Sequence, residues 1–169
     1  GRVAGGIIIP YGNSEVAPFA ESFYVGGANS IRAFTVRSVG PGRYRSDYAE
    51  YTYFDRVGDI KLEANLEYRF NIFGGLYGAL FLDAGNVWNL KNFFEYEDAE
   101  DGVFRLKDFW REMALGTGFG VRYDLDFFVL RLDLGIGLHL PYNTGKSGFY
   151  NIPKFRDGLG FHFAIGYPF

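Results

Sequence analysis

The stretch Gly58-Asp59-Ile60-Lys61-Leu62-Glu63-Ala64-Asn65-Leu66-Glu67-Tyr68-Arg69-Phe70 alternates without a break. Ile60, Leu62, Ala64, Leu66, Tyr68 and Phe70 fall on one side of an extended chain, and Asp59, Lys61, Glu63, Asn65, Glu67 and Arg69 on the other. Successive side chains of a strand point to opposite faces, so a period of two read over this length is a β-strand with one apolar and one charged face. The run is longer than the roughly 9–11 residues with which a tilted strand crosses a bilayer.

Working outward, the same period recurs over 127–140, where Phe128, Leu130, Leu132, Leu134, Ile136, Leu138 and Leu140 oppose Arg131, Asp133, Gly135, Gly137 and His139. It recurs over 113–125, with Leu115, Thr117, Phe119, Val121, Tyr123 and Leu125 opposing Gly116, Gly118, Gly120, Arg122 and Asp124. A less regular alternation marks a strand at 76–88, and strands at 2–12 and 160–169 complete the set. The reading is all-β: about six antiparallel strands of a transmembrane β-barrel, forming the C-terminal part of a larger barrel, because even small barrels need about eight strands. Connections alternate between long (13–57, 89–112, 141–159) and tight (71–75 and near Asp126), the rhythm of outer loops and periplasmic turns. That rhythm puts the chain's last residue on the periplasmic side. The one helix candidate is a short piece over Lys107 to Glu112. A soluble antiparallel sheet with one wet face also alternates; strand length, loop rhythm and the aromatics Trp88, Tyr68, Phe70, Phe127 and Tyr142 near strand ends favour the membrane, where such rings form interfacial belts.

Composition agrees. Of 169 residues, 24 are Gly and 20% are aromatic, with one Met and no Cys, which favours strands and turns and leaves no disulfide, thiolate ligand or Cys nucleophile. No apolar run approaches the ~18 residues of a transmembrane helix. A net charge of -3 gives no footprint for nucleic acid, which requires concentrated Lys and Arg. The chain opens inside a strand, so a targeting segment is expected upstream.

Two stretches carry the strongest motif content. The last strand sets Phe161, Phe163, Ile165, Tyr167 and Phe169 on one face and resembles the C-terminal β-signal of outer-membrane proteins, an apolar edge able to pair with another sheet edge. Gly26-Gly27-Ala28-Asn29-Ser30-Ile31-Arg32-Ala33-Phe34, in the first long loop, resembles the Gly-Gly-x-x-Ser-Val-Arg-Gly-Phe segment of the BamA/TamA outer-membrane assembly superfamily, the bacterial surface antigen family. Further matches follow in order: Gly58-Asp59, Glu67-Tyr68-Arg69-Phe70, Phe81 through Trp88, Gly118 through Tyr123, and Leu130 through Leu134. The likeness covers nearly the whole chain.

What the resemblance implies is a non-enzymatic factor for assembling, inserting or translocating proteins at the outer membrane of Gram-negative bacteria, with no cofactor. Its implied partners are outer-membrane lipid, the remaining barrel strands and upstream periplasmic domains of the parent chain, and client outer-membrane proteins. In that family the Arg loop folds back into the lumen and pairs with acids on the wall, a role that falls to Arg32 within Gly26, Gly27, Ile31, Arg32, Ala33 and Phe34. Asp83 is the first candidate partner, with Glu63, Glu67 and Asp133 in reserve, since a confined guanidinium requires carboxylate contacts to offset desolvation. Ala33 stands where the family has Gly, which restricts the backbone there and is expected to alter the loop tip. A two-partner secretion transporter, the membrane anchor of a lipolytic surface enzyme, and a simple porin or adhesin remain alternatives.

Other candidates read as structural. His139 and His162 alternate onto the presumed lumen face, where a wet, satisfied histidine is expected. Gly116, Gly118 and Gly120 mimic phosphate-loop spacing, but strand alternation makes them small lumen-facing residues. No serine has a nucleophile-elbow context. The acidic run of Glu95, Glu97, Asp98, Glu100 and Asp101 reads as a solvated loop, with no metal assigned.

Overall fold

A computed structural model describes residues 1–10, 17–18, 20–45, 56–91 and 99–166. Six strands, β1 (Arg2–Ile7), β2 (Ile60–Phe73), β3 (Leu76–Trp88), β4 (Ala114–Asp124), β5 (Val129–His139) and β6 (Leu159–Ile165), form one sheet in chain order, every neighbour antiparallel. Strands β1 and β6 are its edges, so the sheet is an open segment and not a closed barrel.

The two faces are reversed relative to a water-soluble sheet. Across β2 to β6 one row of the register reads Tyr68, Leu80, Phe119, Leu134 and Phe161, and the next reads Phe70, Gly78, Val121, Leu132 and Phe163. This is the open face, where Tyr68, Leu80, Phe119, Phe161 and Phe163 are all exposed. The opposite face carries Glu63, Asn65, Glu67, Asp83, Arg122, Arg131 and Asp133, and the long connections fold over it. Asp83 and Asp133 are 0% exposed and Arg32, Arg122 and Arg131 only 1%, whereas Leu80 is 54% exposed. Burying charge while exposing leucine is unfavourable in water, because apolar area is stabilised by leaving it and unpaired charge is not. A compact apolar cluster of Val25, Ile31, Ala33, Phe34, Val39, Val87, Ala114, Leu140 and Ile152 sits between the first long connection and the loop-bearing end of the sheet.

Several boundaries differ from the sequence reading. Strand β1 ends at Ile7, not Gly12: Ile8 N–H still reaches Asp59 O at 2.8 Å, but Pro10 has no N–H with which to extend the ladder. Strand β2 runs on to Phe73 instead of stopping at Phe70, because the hairpin closes tightly at Gly74 and Gly75, with Gly74 at φ 50°. The short helical piece is one 3-10 turn at Phe109–Arg111. Trp88 is no interfacial ring. It is fully buried under the loops, its Nε1–H donating to Glu112 Oε2 at 2.6 Å and its ring edge-on to Phe104 at 5.5 Å. Tyr142 likewise packs against the cluster beneath the loops. Both sit where long connections return over the sheet end, so the Trp88 ring is covered by protein and that of Tyr142 partly so. Tyr68, Phe70 and Phe127 are exposed.

Candidate functional site

The loop around Arg32 is closed on itself by its backbone. Gly26 and Gly27 adopt φ 103° and 93°, in the left-handed region that favours glycine, and a Cβ on Gly26 would strike the Thr35 carbonyl. Gly27 N–H donates to Phe34 O at 2.8 Å, and Ser30 N–H to Gly27 O at 3.1 Å. Ser30 Oγ accepts from Gly26 N–H at 3.0 Å and its hydroxyl contacts Glu63 on β2. Ile31, Ala33 and Phe34 are buried, anchoring the turn to the apolar cluster while Arg32 faces the sheet.

The register explains what Arg32 meets. Glu67 on β2 pairs directly with Phe81 on β3, and Asp83 lies two residues further along the same face of β3. The guanidinium carbon stacks 3.7 Å above the Phe81 ring centroid, between the two acids. Asp83 receives Arg32 Nε–H at 2.8 Å and Nη2–H at 2.9 Å, a two-pronged ion pair, and also the Arg32 backbone N–H at 3.0 Å. Nη1 contacts Glu67. Burial by itself would lower the basicity of this guanidinium; the hydrogen bonds and charge of Asp83, then of Glu67, more than offset that and raise it. The loop cation is therefore permanent.

Around this pair further cations and carboxylates interleave on the same face. Glu67 also accepts from Arg122 Nη2–H at 3.0 Å and from Arg69 Nε–H at 2.5 Å. Asp133 lies 2.6 Å from Arg122 and 3.1 Å from Arg131. Arg131 reaches the loop itself, donating to Ala28 O at 2.8 Å and to Asn29 Oδ1 at 2.7 Å. Asn65 Nδ2 bridges Ser30 O at 2.8 Å and Asp83 Oδ1 at 3.0 Å. His162 Nε2 lies 2.8 Å from Arg32 O.

The glycines of β4 to β6 complete the seat. A Cβ on Gly116 would collide with that of Ala33, one on Gly135 with the Arg32 carbonyl and Ala33 Cα, and one on Gly160 with the Arg32 carbonyl. Loop backbone lies directly on strand backbone there. Ala33 is absent from the residues with positive φ, so its methyl is accommodated by the missing side chain of Gly116, with no strained backbone at that point of the loop.

Of the acids weighed from sequence, Asp83 and Glu67 meet Arg32. Glu63 does not: it takes Ser30, with Lys61 at 3.2 Å and Arg2 at 3.8 Å, because it lies on the rung beyond Asp83. Asp133 belongs to Arg122 and Arg131 for the same reason of register. Asn65, Arg131 and His162 also contact the loop, and Arg122 joins its acids; the sequence marks each only by its alternation onto the loop-covered face. Phe161, Phe163 and Ile165 lie on the open face, while Tyr167 and Phe169 fall outside the described residues. Glu95, Glu97 and Asp98 also fall outside them, and among the described residues no acidic or His group is arranged to hold a metal.

Comparison with known proteins agrees with this architecture. The model of the Omp85 superfamily domain matches residues 1–169. The chain is 30% identical over 163 residues to the outer membrane protein assembly factor BamA of Nitratidesulfovibrio vulgaris, covering 95% of this chain and 17% of that protein. It is 36% identical over 167 residues to the human sorting and assembly machinery component 50 homolog, covering 95% of this chain and 31% of that one. Identity to BamA of Neisseria meningitidis is 31% over 105 residues, 59% of this chain and 12% of that protein. The chain thus spans under a third of the length of these relatives.

Proposed function

The chain belongs to the Omp85 superfamily, and from that premise we propose that it is the C-terminal part of a larger outer-membrane barrel that assembles or inserts other outer-membrane proteins. The observation that carries the reading is the reversed sheet: its open face offers Tyr68, Leu80, Phe119, Phe161 and Phe163 to lipid, and its charges lie beneath the Arg32 loop. Lipid replaces water on that face, so the exposed apolar rows become favourable. The loop-covered face becomes the lumen wall.

In this reading Arg32, Asp83 and Glu67 hold the loop of Gly26, Gly27, Ile31, Ala33 and Phe34 against the wall and stabilise the barrel. The unpaired edges β1 and β6 meet further strands of the parent chain, and Phe161, Phe163 and Ile165, with Tyr167 and Phe169, form the edge that clients or partner strands join. Chain termini at the β6 end face the periplasm, together with upstream periplasmic domains. No covalent chemistry is involved. The names of the relatives, an assembly factor and an assembly-machinery component, favour assembly over the porin, lipase-anchor and secretion alternatives.

The test uses the full parent chain in lipid vesicles with an unfolded client barrel. Arg32→Ala is expected to slow client insertion and to lower the temperature at which the folded band is lost on gels. Wild-type values for both would overturn the roles assigned to the loop.

A further inference from the structure

We propose that His162 is a positioning residue that straps the edge strand β6 to the Arg32 loop, so that the loop and the edge move as one unit; this rests on the barrel reading above. The observations are geometric. Arg32 reaches across the sheet: its guanidinium and N–H bind Asp83 on β3, Nη1 reaches Glu67 on β2, and its carbonyl meets His162 on β6. Strands β3 and β6 are three spacings apart, about 14 Å in a flat sheet. Arg32 bridges that distance because its carbonyl lies over Gly135 and Gly160 while its guanidinium extends across Phe81 to Glu67.

The polarity of the contact is set by its partner. A carbonyl only accepts, so His162 Nε2 carries the proton, and either the neutral Nε2–H ring or the imidazolium can donate. Gly160, two residues earlier on the same face of β6, brings the strand backbone against the same carbonyl, where any Cβ would collide. Its built Cβ would lie 3.2 Å from His162 Nε2, so the two residues form one seat for a single oxygen. Among the described residues, strand β6 is otherwise hydrogen-bonded along β5. The remaining side-chain ties to the loop come from β1, β2, β3 and β5, through Arg2, Asn65, Asp83 and Arg131. His162 is thus the side-chain link from β6 to the loop among the described residues. A client strand that engages the edge would pull on the loop through it, and a shift of the Arg32 ion pair would be felt at the edge.

The experiment follows backbone amide exchange in the full-length parent chain folded in lipid vesicles, comparing wild type with His162→Phe, His162→Gln and Gly160→Ala. Phe keeps the ring and removes the donor. The Gln amide nitrogen reaches about as far as Nε2 and still donates. With Phe, exchange in β6 and in the loop at Gly27 and Phe34 is expected to quicken together by roughly fivefold, the factor carried by one neutral hydrogen bond. Gln should restore wild-type exchange, and Gly160→Ala should reproduce Phe by lifting the loop sterically. Faster exchange in β6 alone, in the loop alone or in neither would overturn the strap, as would Gln behaving like Phe. Client insertion is measured on the same samples. If wild type folds and inserts clients but the exchange pattern is missing, the strap fails and the assembly reading stands; if wild type neither folds in the vesicles nor inserts clients, both fail.

Discussion

Replacing Asp83 by Asn tests the energetics of the loop most directly. The side chain is fully buried and accepts four hydrogen bonds: the Nε–H, Nη2–H and backbone N–H of Arg32, and Asn65 Nδ2–H. Asn keeps the volume but loses the charge and presents an NH2 to one of these donors. Arg32, 1% exposed, would retain Glu67, which it already shares with Arg122 and Arg69. Removing one partner of a buried ion pair costs about 3–5 kcal/mol, since the remaining charge loses its compensation, and here only a carboxylate already shared with two other cations is left. That lowers the folded-to-unfolded ratio by roughly a hundredfold to several thousandfold. Urea unfolding of the parent barrel in lipid vesicles reads this as a lower midpoint with an unchanged slope. The double variant Arg32→Met with Asp83→Leu should lose much less than the single change, because Glu67 keeps Arg122 and Arg69 and no buried charge is orphaned. An Asp83→Asn variant within about 0.5 kcal/mol of wild type, the range of an ordinary surface substitution, would refute the reasoning.

Gly135→Ala should destabilise by about 1–3 kcal/mol, since its Cβ meets loop backbone that cannot rotate away; a neutral result in the same unfolding assay would mean the loop does not rest on β5. Leu80→Arg, on the open face between Tyr68 and Phe119, should cost about 2–4 kcal/mol near the bilayer midplane, whereas the same change on a water-facing sheet would be nearly silent; vesicle unfolding separates the two. Leu80→Arg acts on the face opposite Arg32, so its loss should add to that of Asp83→Asn, whereas Gly135→Ala presses on the Arg32 backbone itself and should couple to it.

Strand identity was largely legible. In β2 every second residue from Ile60 to Phe70 is apolar, and the observed faces follow that alternation. Boundaries were less so: the end of β1 depends on Pro10, and the extension of β2 to Phe73 depends on a turn whose tightness is set by pairing with Leu76. Trp88 shows the limit of composition. An aromatic at a strand end reads as a belt residue, and only the return of Glu112 and Phe104 over it shows that it is covered. For the site, the sequence points to Asp83 first, whereas separating Glu67 from Glu63 and Asp133 requires the rungs on which each lies.

By itself the sequence determined the element type, the division into an apolar and a charged face, and the family resemblance of the Arg32 loop, because period and motif are local properties that survive without neighbours. The tertiary structure decided which face is open, which carboxylates meet Arg32, why Gly116, Gly135 and Gly160 lack side chains, and that His162 touches the loop. Arg32 and Asp83 are 51 residues apart, and Arg32 and His162 are 130 apart. Contacts at such separations are set by strand register and by how the loop lies across the sheet, neither of which is contained in the alternation along a single strand.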